Sequence, residues 1–535
     1  MPPKLTEMQG RDYDVVVIGA GINGASTVRE LALAGYRVLL VEKRDFAAGA
    51  TSRSSRILHC GLRYFETPSP VTTFALHPLR FAGAMRMARA GMEARAELVE
   101  REPGRCKPFT MCFPIYPESP VCGWHLDVGF RLLRRLGPLE PPLDYRRLTK
   151  GFEAHLPFAR HLRDPKGLRS VATYREYIMD WPDRLCVDAA LDAQENGAEI
   201  RLFCQAEIIG RERGGWLVRL SDIERGEIAE IRAILVMNMA GTWIDEVNGG
   251  TMAGEAAPRL IRGTKGAHIA VRLPEAYRGF GIATIHRGGM PFYCLPSHDD
   301  YFYFGPTETP FDGDAGDVAA TDEDIDFLLA EANFILPGLG LSRRNVAFTW
   351  AGVRPLTFDI RQPMGRRTRE VHDLARAGRS GIFAMTAGPV MTHLSAGREM
   401  RRISEKHLKP PHASAGKQRA NPPDHGLSGI SSPLMENRRA AFRWAVSAEH
   451  ARDLKGILYT RTGLAWRRHL TRGEVEEAAQ SVADLLGWSR EKTAGEVDKF
   501  IRYQKTVFRT GSDPMPERAT TSAMGDIEAW NADTH

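Results

Sequence analysis

Residues 14–42, DVVVIGAGINGASTVRELALAGYRVLLVE, constrain the fold more than any other stretch of the 535-residue chain. Asp14 precedes VVVI, a short unbroken apolar run of the kind found in strands buried on both faces. Gly19, Gly21 and Gly24 then satisfy G-x-G-x-x-G. In this motif the first glycine makes a tight turn, the second lets a pyrophosphate approach the backbone, and the third packs a helix on the strand. The spacing predicts a helix over roughly 25–34, stopped at Gly35, with its positive N-terminal end directed at phosphate and with Ile22 and Asn23 in the turn. Glu42 ends the next strand, YRVLLVE, where a carboxylate is placed to accept hydrogen bonds from an adenosine ribose, with Lys43 beside it. An isolated glycine motif is a weak signal, but here strand, turn, helix, strand and acid occur in order. The segment reads as a Rossmann-like dinucleotide site, and the glycines alone leave NAD and FAD open.

The following run, KRDFAAGATSRSSRILHCGLRY, is small and hydroxyl-rich, with Thr51, Ser52, Ser54 and Ser55 ahead of His59, Gly61, Leu62, Arg63 and Tyr64. It resembles the "ATS-x-x-SS-x-x-x-HGGLRY" segment of FAD-dependent glycerol-3-phosphate dehydrogenases, with Cys60 in place of the first glycine. Collinear matches extend over most of the chain. ILVMNMAGTWIDEV (234–247) is similar to "VNATGPW", RGTKGAHIAV (262–271) to "KGSHIVV", YFYFGPTETP (301–310) to "xxIGTTD", and FTWAGVRPL (348–356) to "xxYSGVRPL". GIFAMTAGPVMTHLSAGRE (381–399) stands where the family has "LxxVxGGKLTTYRxxAE", and RDLKGILYTRTGLAW (452–466) resembles an arginine-containing helix of its C-terminal domain.

The resemblance implies non-covalent FAD, held by the 51–62 segment together with Ala206, Ala240, Gly241, Trp243, Arg354, Gly388, Pro389, Val390, Met391 and Thr392. It also implies oxidation of sn-glycerol 3-phosphate to dihydroxyacetone phosphate, with electrons passed to quinone. Such chemistry needs a base for the hydroxyl proton and cations for the phosphate. Arg354 is the candidate nearest the reacting carbon, where a guanidinium clamps substrate oxygens, and His268 is the candidate base, its ordinary pKa being close to neutrality. Arg63, Tyr64, Lys265, Thr307 and Arg369 are candidate substrate ligands. The bland readings are a structural His268 and solvated arginines. One departure bears on substrate: Pro389 replaces the family's lysine, removing a cation and a backbone N–H together. Another polyol phosphate, an unphosphorylated hydroxy compound or an amine, with oxygen as acceptor, is the alternative; a flavin-binding protein without turnover is the third.

The expected architecture is α/β (α+β overall), a Rossmann-like FAD-binding domain with an inserted antiparallel-sheet substrate domain and a C-terminal helical domain. The nucleotide unit is discontinuous, about 10–75, 150–260 and 345–402, with insertions at about 76–149 and 261–344. A Pro/Gly/Ser-rich linker covers 403–432, a helical domain 433–510 and a mobile tail 511–535. The seven cysteines lack metal-ligand spacing and read as reduced thiols, and no metal site is expected. No run reaches the roughly 18 apolar residues of a spanning helix, and no nucleic-acid module is present. The chain therefore reads as cytoplasmic. Between 74 and 105, and again at 129–139, arginines and apolar residues mix at helical spacing. That pattern suits peripheral contact with the anionic inner face of the cytoplasmic membrane, or a surface helix that packs inward. A homodimer is left open.

Overall fold

The protein is described from a computed structural model, which covers residues 4–65, 70–212, 214–249, 257–298, 300–410 and 437–509. The first sheet is built on β1 (Asp12–Ile18) and β2 (Val38–Val41), joined by α1 (Ile22–Leu33). The two strands pair in parallel with Val15 opposite Val38 and Ile18 opposite Val41. From one edge to the other the sheet runs Glu370–Asp373, Ile382–Thr386, Ile228–Asn238, β1, β2 and Glu199–Arg201, and Cys204–Glu212 and Gly215–Asp222 form an antiparallel extension on Ile228–Asn238. Helices Pro182–Glu195 and His393–His407 pack on α1 over one face, where Val15 and Val17 are buried, and Leu5, Met8, Trp216 and Val218 share the core of Val16 and Ile18 on the other. This is the doubly covered parallel arrangement expected from an unbroken apolar strand.

Two boundaries of that unit differ from the sequence reading. α1 begins at Ile22 rather than Ala25, because the Thr51 hydroxyl accepts the Ile22 N–H at 3.1 Å and so satisfies a donor of the first turn from outside the helix. Helix His393–His407 runs past the boundary drawn at 402.

The second sheet has ten strands and is mostly antiparallel; its longest pair, Ile261–Arg272 against Val346–Thr357, lies at one end of it. It takes in more of the chain than the two insertions. Ile57–Leu58, Ser170–Met179 and Val346–Thr357, assigned by sequence to the nucleotide unit, are strands of this sheet, and Phe280–Ile285 pairs in parallel with Cys106–Ile115. Pairing across such sequence distances leaves no local pattern to read.

The C-terminal helices Arg438–Ser447, Arg472–Leu486 and Arg490–Val507, with the helical turn Gly456–Arg461, share one apolar core with the second sheet through Tyr459, Trp466 and Phe508 against Trp350. Buried ion pairs of Arg461 with Asp45 and of Arg184 with Glu449 tie them to the nucleotide unit. Most of the linker and the whole tail read from composition lie outside the described residues.

Candidate functional site

The first of two adjoining clefts lies at the carboxyl ends of β1, β2 and Ile228–Asn238, where a parallel sheet presents its ligand crevice. Gly19, Gly21, Ile22, Asn23, Glu42, Lys43, Thr51, Ala206, Ala240, Gly241, Trp243, Gly388 and Val390 line it. Gly24 does not; a Cβ there would stand 1.9 Å from the Gly19 carbonyl oxygen, so this glycine is needed for helix–turn packing. Glu42 Oε2 accepts from the Ala20 N–H and Oε1 from the Arg44 N–H, both at 2.8 Å. Desolvation pushes its pKa up, against these two N–H donors. Asn23 Nδ2 donates to the Gly388 carbonyl oxygen at 2.9 Å, joining the glycine turn to the 387–392 segment. A helix N-terminus, a glycine turn and a carboxylate in one slot fit the adenosine and pyrophosphate half of a dinucleotide.

The second cleft shares Ala50, Pro355, Gly388 and Val390 with the first, so the two form one elongated slot. Ser54, Ser55, His59, Tyr64, His268, Arg354, Pro389 and Met391 line it. Small and hydroxyl side chains from 50–55 make its wall, as a flat ring lying against main chain requires. His268 and Trp350 are register partners in the pair of Ile261–Arg272 with Val346–Thr357, and their rings stack at 4.8 Å and 13°. His268 is 2% exposed, with Nε2 3.0 Å from Ser55 Oγ. Burial, then the charges of Arg354 and Arg56, hold its pKa well below 6.5, so the imidazole is neutral near pH 7. The Arg354 guanidinium lies over Gly266, where a Cβ would come within 2.4 Å of Nη2; only glycine leaves that space.

Several residues singled out from sequence are elsewhere. Lys265 does not line the slot: successive residues of a strand face opposite ways, and with Gly266 and His268 facing the slot Lys265 turns to the other face, where Nζ pairs with Asp324 Oδ2 at 2.7 Å. Thr307 is buried and its hydroxyl accepts the Ala267 N–H at 2.9 Å, a sheet-edge bond rather than a ligand bond. Arg369 is spent on structure, donating from Nη1 to Ser395 Oγ at 2.9 Å and pairing from Nη2 with Glu399 at 2.8 Å. Gly61 packs against Ala88, Leu62 enters the apolar core, the Ser52 hydroxyl donates to the Gly49 carbonyl oxygen, and the Thr392 hydroxyl donates to the Pro389 carbonyl oxygen. The side chain of Arg63 lies outside the described residues.

Three arginines that sequence reasoning passed over do line the second cleft: Arg53, Arg56 and Arg367. Arg53 and Arg56 stood in plain view within ATSRSSR, but nothing local distinguishes an inward arginine from a solvated one. Arg367 follows directly on Arg366, and its pairing with Glu308 is a contact across the fold.

Residues 14–398 match the family model described as DAO, FAD dependent oxidoreductase. A glycerol-3-phosphate dehydrogenase from Synechocystis sp. is 30% identical over 74% of this chain and 70% of its own length. The D-erythritol 1-phosphate dehydrogenase of Brucella abortus is 31% identical over 74% of each, and an aerobic glycerol-3-phosphate dehydrogenase of Staphylococcus haemolyticus is 28% identical over 75% of this chain and 68% of its own. Among solved structures, the glycerol-3-phosphate dehydrogenase of Bacillus halodurans complexed with FAD superposes with a TM-score of 0.70 over 96% of this chain and 98% of its own, at 19% identity. That likeness is one of fold and extends through the C-terminal helices. With the slot's glycine turn, buried carboxylate and small-residue wall, these matches identify the chain as a member of the FAD-dependent oxidoreductase family, an enzyme with FAD as its cofactor, alongside proteins of the glycerol-3-phosphate dehydrogenase type.

Proposed function

We propose that the protein oxidises sn-glycerol 3-phosphate to dihydroxyacetone phosphate and passes the electrons to a membrane quinone. The observation that carries this reading is the charge of the second cleft: Arg53, Arg56, Arg354 and Arg367 line it and, among the described residues, no carboxylate does, beside a neutral His268. Such a wall suits an anionic substrate and repels the ammonium group of an amine. FAD, when bound, takes up the two electrons and the hydrogen leaving the alcohol carbon. The protein's own part is position and charge. Arg354 stabilises the oxygen as it loses its proton. His268 accepts that proton by way of Ser55, whose hydroxyl takes the substrate proton as it gives its own to Nε2 at 3.0 Å. The small-residue wall, with Met391 beside it, keeps water from the reacting carbon. Non-covalent attachment of FAD belongs to the same reading.

Pro389 favours a second reading, a longer polyol phosphate. It leaves the wall between Gly388 and Val390 without a cation, and the 31% identical Brucella relative is named for D-erythritol 1-phosphate. Anaerobic bleaching of the flavin band by sn-glycerol 3-phosphate, D-erythritol phosphate and glycerol, each added alone, separates the possibilities. Fast bleaching by glycerol 3-phosphate supports the first reading and a preference for the four-carbon phosphate the second, whereas bleaching by glycerol alone overturns both. Turnover with a quinone analogue, against peroxide formation in air, tests the acceptor.

A further inference from the structure

The four arginines of the second cleft differ in where their guanidinium groups go. Arg53 donates from Nη1 to the Ala351 carbonyl oxygen at 3.3 Å and from Nη2 to the Tyr503 hydroxyl at 2.6 Å, and its guanidinium carbon lies 4.6 Å from the ring centroid of Phe508. Arg56 buries its guanidinium against Trp466. Both groups are thus taken up by the C-terminal region. Arg354 lies over Gly266 in the wall of the slot. Arg367 lines the cleft with 38% of its side chain exposed, so a charged group entering from solvent can reach it.

Two separate elements place this side chain. The loop after strand Val346–Thr357 is closed where the Arg366 N–H donates to the Thr357 carbonyl oxygen at 2.8 Å and the Thr357 N–H donates to that of Arg366 at 3.0 Å. Arg367 follows at once, and Arg354 stands three residues before Thr357 on the same strand. On the other side of Ile261–Arg272, Lys265 pairs with Thr309, which brings Glu308 level with Gly266. Residues opposite each other in an antiparallel pair share a face, so Glu308 is on the slot face, about 5 Å along the sheet from the glycine under the Arg354 guanidinium. There Glu308 Oε1, its side chain 11% exposed, accepts from Arg367 Nη2. The carboxylate draws the Arg367 guanidinium towards that of Arg354. A guanidinium carries several N–H donors in one plane and can hold a carboxylate on one edge and a phosphate on another.

From this geometry we infer that Arg367 binds the phosphate monoester of a polyol-phosphate substrate at the open side of the second cleft, with Glu308 as the residue that positions its guanidinium. The inference rests on the reading that the substrate is phosphorylated, and it supplies a cation where Pro389 offers none. Steady-state kinetics of FAD-replete variants test it. Arg367→Met raises both the KM for the wild-type protein's phosphorylated substrate and the competitive inhibition constant of inorganic phosphate by about tenfold or more, and changes kcat by less than about threefold. Unchanged constants, or a change confined to kcat, overturn the assignment. That variant also leaves the Glu308 charge uncompensated, so the charge-neutral double variant Arg367→Met with Glu308→Gln separates contact from field. Its KM stays raised by about tenfold if the guanidinium touches the phosphate; a return to the wild-type KM overturns the assignment. Glu308→Gln alone keeps an acceptor for Nη2 and removes a negative charge, so its KM is equal to or below that of the wild type. A rise matching that of Arg367→Met would make the pair purely structural and overturn the assignment. Should the variants not accumulate with FAD, wild-type holoenzyme is labelled with phenylglyoxal with and without inorganic phosphate, and the arginines are mapped by mass spectrometry. Protection of Arg367 by phosphate supports the assignment; equal labelling, or no labelling of Arg367 in either sample, overturns it. A wild-type protein that oxidises no phosphorylated polyol overturns the underlying reading as well, a result unlike a normal KM in the Arg367 variant.

Discussion

His268 owes its character to its neighbours. An exposed histidine is partly protonated at pH 6.5, whereas this ring, desolvated and facing Arg354 and Arg56, resists a proton well below that value. A base must be neutral to act, so activity is full above its pKa and falls only as pH drops through it. The acid limb of kcat/KM is therefore expected below pH 6.5, the ordinary histidine value. His268→Asn should abolish that limb and lower kcat by about 100-fold or more, within the range of general-base catalysis. A limb centred at or above 6.5, or an unchanged profile in the variant, excludes His268 as the base. Arg354 is assigned charge that develops during reaction. Arg354→Ala should accordingly lower kcat as well as raise KM, by about 100-fold in kcat/KM, with FAD content unchanged. A pure KM effect would reassign it to ground-state binding.

Among the elements, the C-terminal helices are anchored by charge as well as by apolar contact. The Arg461 side chain is fully buried, pairs with Asp45 beside the nucleotide slot and donates from Nη2 to the Glu449 carbonyl oxygen at 2.9 Å. Removing one partner leaves the other charged and buried, so Arg461→Ala should cost about 3–5 kcal/mol and lower the unfolding temperature measured in the FAD-bound protein. A loss below 1 kcal/mol would mean that the apolar core alone holds the helices. The basic amphipathic stretch resolves into helices Pro70–Leu76 and Pro78–Arg101, with Pro78–Arg101 packing on Gly123–Leu136. Much of Pro78–Arg101 does pack inward, through Ala88, Met92 and Leu98. Leu76 and Leu79 at the helix junction are nevertheless 70% and 87% exposed, and Trp124 and Val128, one turn apart, are 55% and 52% exposed. We therefore expect binding to anionic vesicles that weakens with salt, and a loss of about tenfold on Leu79→Asp with Trp124→Asp. Cosedimentation unaffected by the double variant would place any membrane contact elsewhere.

For the molecule as a whole, buried histidines set the acid limit. Burial drives the pKa of His393 down to about 3 and, with Arg461 adding to it, that of His450 down to about 4, while His298 is lowered chiefly by burial. Above pH 6.5 these groups are neutral in both folded and unfolded chains and contribute no pH dependence. Below it the unfolded chain binds protons that the folded one refuses, and stability falls by roughly 1.4 kcal/mol per pH unit for each such group until its folded pKa is reached. Glu42, Glu102 and Asp183, raised by burial, bind protons in the folded state first and offset part of this loss, whereas Arg184 and Arg105 keep the pKa of Asp188 below 3.8 against its burial, so its contribution is lost only in stronger acid. Thermal unfolding followed from pH 8 to pH 5 should show a plateau that breaks near 6.5. A melting temperature flat down to pH 5 would refute the assignment.

What the amino-acid sequence determined by itself is the part whose physics is local. Strand, glycine turn, helix and Glu42 are consecutive, and 13 of the 24 residues expected to hold the cofactor line the first cleft while six others line the second. GVRPL and GAH likewise deliver Arg354 and His268 to one cleft, because a strand presents alternate residues to one face. That alternation also removes Lys265, a distinction that needs the register of Ile261–Arg272. Only the tertiary structure decided which arginines face inward. Arg56 buries its guanidinium against Trp466, 410 residues away along the chain, while Arg369 is drawn off by Ser395 and Glu399. An arginine's side chain is long enough to reach solvent or a cavity from the same backbone position, so its role depends on partners that only folding brings near.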